Sequence, residues 1–237
     1  MASESPISNL RSMESEHKQL MILRCKCVVV GDACTGKTAL TQVFNSGGNT
    51  YPKNYVMTIG AEFSVKQVPI PDTNVIVELY IYDCAGQSIF NQVEMNSKYW
   101  ENTSAVVVVY DISNPETLQS CSKWLGGVRA MRPTGQRMLG VLVGNKADFR
   151  DDNSMDSRAE ITRDEGHGAA KELGLRYFET SAVRVAELYP RQCSHDFGVS
   201  QATNTGIEEP FKYIAEEFYN RYEATVARAE ELSALTV

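Results

Sequence analysis

Eight consecutive residues, Gly31-Asp32-Ala33-Cys34-Thr35-Gly36-Lys37-Thr38, constrain the fold of this chain more than any other stretch. They follow an apolar, β-branched run from Cys25 to Val30 and lead into Ala39-Leu40-Thr41-Gln42-Val43-Phe44. A G-x-x-x-x-G-K-T loop between a strand and a helix is built to hold phosphate. Gly31 and Gly36 let the backbone curl so that successive N–H groups point inward, and the following helix brings its partial positive end to the same anion. Lys37 adds a full charge. The Thr38 hydroxyl suits Mg2+, which takes few protein ligands and shares phosphate oxygens. The loop assigns Asp32, Ala33, Cys34, Thr35, Gly36, Lys37, Thr38 and Ala39 to a nucleotide-phosphate site.

Downstream, Ala61 to Val68 and Val75 to Tyr82 alternate apolar and polar residues around Pro71-Asp72-Thr73-Asn74, which predicts a hairpin. The period then changes. Ala105 to Tyr110 and Met138 to Val143 are short apolar runs of the kind found in parallel strands covered on both faces. Asn114-Pro115-Glu116 opens a helix with a cap and a proline at its first position, continuing through Trp124-Leu125. Thr162-Arg163-Asp164-Glu165 is a capping box, and Leu175 to Glu179 reads as the last strand. Ile207, Phe211, Ile214, Phe218, Tyr222 and Val226 recur at helical spacing, and Leu232 extends that stripe. The sum is an α/β fold: a six-stranded, mostly parallel sheet with one antiparallel edge strand and helices on both faces.

A net charge of −7 gives no electrostatic footprint for nucleic acid and no polybasic attraction to anionic membrane. Met1 to Leu20 carries no apolar stretch of signal-peptide length, so residues 1–20 are expected to be a flexible extension. The domain then runs over 21–232, with a polar insertion at about 184–203 and a tail at 233–237. The six cysteines, at 25, 27, 34, 84, 121 and 193, are scattered without zinc spacing, which fits a reduced cytosolic compartment.

Further motifs stand where the neighbouring strands end. They are Asp83-Cys84-Ala85-Gly86-Gln87, Asn145-Lys146-Ala147-Asp148 and Glu179-Thr180-Ser181-Ala182, in that order. With this set the chain resembles the Ras-like small GTPases over about residues 24 to 222. The resemblance implies a P-loop NTPase fold and a guanine nucleotide, GTP or GDP. Asp148 would accept hydrogen bonds from the guanine ring N–H and exocyclic amine, and adenine lacks that pairing. Asn145 would tie the base to the phosphate loop, Lys146 would cover a ring face, and Ser181 and Ala182 would close the base site, the Ala182 amide meeting the guanine carbonyl. Tyr51 matches an aromatic that packs on the base and equally reads as a surface loop residue.

On the metal side, the resemblance implies Thr38, Thr58 and Asp83 around Mg2+, with Thr58 engaged only in the GTP state. The Gly86 amide would meet the terminal phosphate, and Gln87 would orient the attacking water. Losing the terminal phosphate would release both loops. No arginine finger in cis is evident, so slow intrinsic hydrolysis that needs a regulator to become fast is expected. Ala33 stands where Gly or Ser is frequent, and Ser88 replaces a frequent acidic residue; both put the standard activator contacts in doubt.

Thr58-Ile59-Gly60-Ala61-Glu62-Phe63 and Val109-Tyr110-Asp111-Ile112 look like the Rab branch. Rab proteins end in prenylated cysteines, and no cysteine follows Cys193, so no lipid anchor is expected. A narrower resemblance is to the Rab-like GTPase subunits of the intraflagellar transport B complex. It is carried by Val68-Pro69-Ile70-Pro71-Asp72-Thr73, Val77-Glu78-Leu79, Cys121-Ser122-Lys123-Trp124-Leu125 and Gly140 to Lys146. It implies a heterodimer with a small β-sandwich transport subunit, incorporation in the larger complex, and residence in cytoplasm and in the cilium or flagellum near the basal body. Two alternatives stay open: a Rab-like vesicle-trafficking GTPase, and a structural GTP-binding subunit with little turnover. The distal turns of the last helix either dock a partner or form a solvated tail.

Overall fold

The computed structural model describes residues 19–49, 56–86, 98–132, 138–150, 158–182 and 206–234. The predicted strands and helices are all present within them. Strands β1 (Met21–Val30), β2 (Ala61–Pro69), β3 (Val75–Cys84), β4 (Ala105–Asp111), β5 (Leu139–Asn145) and β6 (Arg176–Thr180) form one sheet in the order β2-β3-β1-β4-β5-β6. Only the β2–β3 pair is antiparallel. The chain therefore has the six-stranded α/β architecture its pattern predicts.

Helices α1 (Lys37–Asn45), α2 (Pro115–Ala130), α3 (Arg163–Leu173) and α4 (Glu208–Ala234) cover the two faces. Alternation along the central strands sorts the core. Val107 and Val109 join Cys25, Cys27 and Val29 against α1 and α4, while Val106, Val108 and Tyr110 face α2 and α3 with Val28 and Val30. Phe44 of α1 stacks on Phe211 of α4 with ring centroids 4.1 Å apart. That contact joins the helix after the phosphate loop to the last helix.

The helix ends follow their sequence signals. Asn114 accepts from the Glu116 N–H with Pro115 in the first turn, and Thr162 and Glu165 form the reciprocal capping box. Several details differ from the sequence expectation: β3 runs on to Cys84 and β5 to Asn145, so Asp83 and Asn145 lie in the ends of their strands rather than after them. β1 begins at Met21, because its first residues have only β3 beside them and β4 pairing starts at Cys27, so this end is half exposed rather than continuously apolar. Leu175 does not start β6: its N–H bonds the Ala170 carbonyl and closes the α3 C-terminus after Gly174. The apolar stripe of α4 is fully buried only as far as Ala215, and Tyr222 and Leu232 are exposed.

Parallel strands bring their carboxyl ends to one edge of the sheet. The antiparallel β2 contributes its amino end to that same edge, where Ala61 pairs with Cys84 and the Ala85 N–H bonds the Gly60 carbonyl. Thr58, just before β2, is thus carried to the mouth of the phosphate loop.

Candidate nucleotide site

The loop after β1 has the conformation that its glycines predict. Gly31 and Gly36 take φ values of 146° and 86°, and a Cβ on Gly31 would lie 2.1 Å from the Val109 carbonyl oxygen. Lys37, the first residue of α1, is buried at the mouth, its Nζ 3.0 Å from the Gly31 oxygen and 2.8 Å from the Asp32 oxygen. Burial lowers the Lys37 pKa, against the pull of Asp83 and Asp32. Thr35 is buried and donates to the Asp32 carbonyl, while Cys34 is exposed with a left-handed φ of 62°. Ala33 and Ala39 are half-buried on either side of this turn. Gly86 closes the opposite wall, where a Cβ would come 2.4 Å from the Lys37 Nζ and 2.5 Å from the Asp32 carbonyl. A backbone-lined cradle of this kind, with a cation at its mouth, admits phosphate oxygens.

Three hydroxyl and carboxylate side chains meet beside the cradle. The Thr38 hydroxyl donates to Asp83 Oδ2 at 2.5 Å and lies 3.0 Å from the Thr58 hydroxyl. Asp83 Oδ1 is buried with no hydrogen-bond partner among the described residues. Burial pushes the Asp83 carboxyl up to about 6, with Thr38 and Lys37 pulling the other way. An orphaned carboxylate oxygen among hard oxygen donors is what a small dication would satisfy, so the residues present fit Mg2+.

The base-side motifs are joined to the cradle. Asn145, at the end of β5, donates to the Thr35 carbonyl at 2.8 Å and accepts from the Thr180 hydroxyl at 3.0 Å. Asn145 therefore ties β5 and β6 directly to the phosphate loop. Lys146 has a left-handed φ of 66° and its Nζ pairs with Asp111 Oδ2 at 2.5 Å. The Ser181 hydroxyl donates to Asp148 Oδ1 at 2.6 Å, and Ser181 and Ala182 are buried at the carboxyl end of β6. Asp148 and the two β6-end residues are thus assembled together. Tyr51 and Gln87 lie outside the described residues, as do Ser88, Cys193 and 184–203.

A second layer, which motif reading missed, braces this side. Glu179 receives two hydrogen bonds from Arg150 Nε and one from Arg150 Nη2, and is also bonded by Arg163 and the Tyr177 hydroxyl. Tyr177 in turn lies 3.0 Å from the Tyr110 hydroxyl. Burial alone would raise the Glu179 pKa, but these donors hold it below its ordinary 4.5. A depressed carboxylate stabilises the fold above its unfolded pKa, and that contribution is lost as pH falls through the folded value. Glu179→Gln leaves the half-buried Arg150 without its counter-ion and is expected to cost about 2 kcal/mol at pH 7. Urea unfolding at pH 7 and near pH 4 checks this, with the gap between wild type and variant shrinking at the lower pH.

The chain belongs to the Ras family of small GTPases, proteins that bind GTP and GDP and hydrolyse GTP; the family match spans residues 26–190. It is 38% identical over 204 residues to the Intraflagellar transport protein 27 homolog of Homo sapiens, covering 86% of this chain and 95% of that protein. To the Chlamydomonas reinhardtii Intraflagellar transport protein 27 it is 34% identical over 210 residues, covering 88% and 91%. The Ras-related protein RabC of Dictyostelium discoideum is 29% identical over 157 residues, covering 66% and 74%.

Proposed function

We propose that this chain is a guanine-nucleotide switch that serves as a Rab-like subunit of intraflagellar transport. The observation that carries the switch is the meeting of Thr38, Thr58 and Asp83, which brings the phosphate loop, the loop before β2 and the end of β3 within hydrogen-bond reach. A terminal phosphate held there links the three segments, and its loss frees Thr58. Thr38 and Thr58 would hold Mg2+ with Asp83 beside them, and the ion, when bound, supplies neutralisation of phosphate charge. Lys37 and the cradle amides bind the phosphates, Asp148 reads the guanine edge, and Gln87 orients the attacking water.

Intrinsic hydrolysis is slow in this reading, because the charge stabilisation that an arginine finger supplies has to come from a regulator. Support for the transport role comes from the names of the relatives. The partners would be a small β-sandwich transport subunit, as a heterodimer, and complex B, in cytoplasm and cilium or flagellum. Single-turnover assays are expected to show slow GTP hydrolysis by the wild type and at least about tenfold slower hydrolysis by Gln87→Leu. Turnover by neither protein rejects the enzymatic part. The same two proteins, loaded with GTP and GDP, serve as baits in flagellated-cell extract. Equal capture of transport subunits would reduce the nucleotide to a structural ligand, since a ligand without differential affinity shifts nothing.

A further inference from the structure

Asp32 is the single acidic residue in the loop that has to receive a polyphosphate. Its backbone stands at the junction of the cradle. The carbonyl accepts from the Lys37 Nζ at 2.8 Å and the Thr35 hydroxyl at 3.0 Å, and the same group lies against Gly86. A carboxylate free to rotate at this junction would place negative charge beside the phosphates and compete for Lys37. The structure gives it another partner, 92 residues away in sequence: the indole Nε1–H of Trp124 on α2 donates to Asp32 Oδ1 at 2.7 Å.

Trp124 is itself set by its surroundings. It packs on the α2 side of the core with its ring edge-on to Trp100, centroids 6.3 Å apart and planes at 79°. Indole nitrogen is a donor only, so it can hold the carboxylate but cannot accept a bond from Lys37 or a loop amide. We infer that Trp124 is a positioning residue for nucleotide retention: its N–H holds the Asp32 carboxylate out of the phosphate cradle and so ties α2 to the phosphate loop. This rests on the guanine-nucleotide reading of the site.

The test uses the full chain and fluorescent GDP, comparing release rates of wild type, Trp124→Phe, Asp32→Ala and the double variant. Phenylalanine keeps a ring against Trp100 and removes only the donor. Trp124→Phe is expected to release GDP about tenfold faster than wild type, the scale of one hydrogen bond to a charged group. In the Asp32→Ala background, where no carboxylate remains to be held, the same substitution is expected to change release less than about twofold. An equal acceleration in both backgrounds, or none in either, overturns the inference, because a loss of packing would act whether or not the carboxylate is present.

The bond is also read without altering Trp124. The chain has two tryptophans and hence two indole N–H resonances. Asp32→Ala is expected to move one of them and leave the other in place; two unmoved resonances overturn the inference. Wild type that retains no GDP overturns the nucleotide reading and this inference together, whereas wild type that binds GDP beside an unchanged Trp124→Phe overturns the inference alone.

Discussion

Replacing Asp148 by asparagine should weaken GDP binding by about a thousandfold and raise the relative affinity for the xanthine nucleotide by a similar factor. The carboxylate can accept from both the ring N–H and the exocyclic amine of guanine. An asparagine can accept from only one, and its NH2 group then faces the amine, donor against donor. Xanthine carries a carbonyl at that position, so the same NH2 group finds an acceptor. The Ser181 hydroxyl, 2.6 Å from Asp148 Oδ1, still finds an oxygen on asparagine, so the side chain stays in place while its hydrogen-bond polarity changes. Competition of GDP and XDP for wild type and variant measures both shifts. A variant that keeps guanine preference would remove Asp148 from base recognition.

The parts of this site that could be read from sequence are those fixed by short-range geometry. Gly31 and Gly36 are demanded by a turn whose φ values and close approaches exclude other residues, and Asn114-Pro115 and Thr162 to Glu165 satisfy helix ends locally. The gathering of the motifs at one place could be read because each stands at the end of a predicted strand, and parallel strands bring such positions to one edge of the sheet; the strand order itself came from the structure. Contacts that depend on which side chain meets which across the sheet could not be read. Trp124 and Asp32 are 92 residues apart, Tyr110 and Tyr177 are 67 apart, and Lys146 and Asp111 are 35 apart. The sequence puts Trp124 on a predicted helix but carries nothing about its N–H. The α4 stripe shows the converse: its spacing continues past Phe218 and Tyr219, which still pack on the core, so Tyr222 and Leu232 keep the helical pattern without its burial.

Asp83 yields a prediction in which stability and ligand affinity move in opposite directions. Asp83 is 2% exposed, one carboxylate oxygen accepts from Thr38 and the other has no partner among the described residues, and burial has raised its pKa to about 6. With divalent ions chelated at pH 7.5, the fold carries a buried charge that Thr38 and Lys37 offset only in part. Asp83→Asn removes that charge but brings an NH2 group that needs an acceptor, so the two changes partly cancel. The net expectation is a gain of about 1 kcal/mol, or roughly 2–4 °C in Tm for a chain of this size. With Mg2+ present the sign reverses, because the neutral amide no longer attracts the ion and Mg2+-dependent GTP affinity falls by at least about a hundredfold. Thermal melts in chelator and nucleotide titrations with and without Mg2+ separate the two effects. Loss of stability in chelator together with unchanged Mg2+ dependence would mean that Asp83 is a structural hydrogen-bond acceptor for Thr38 and serves no cation.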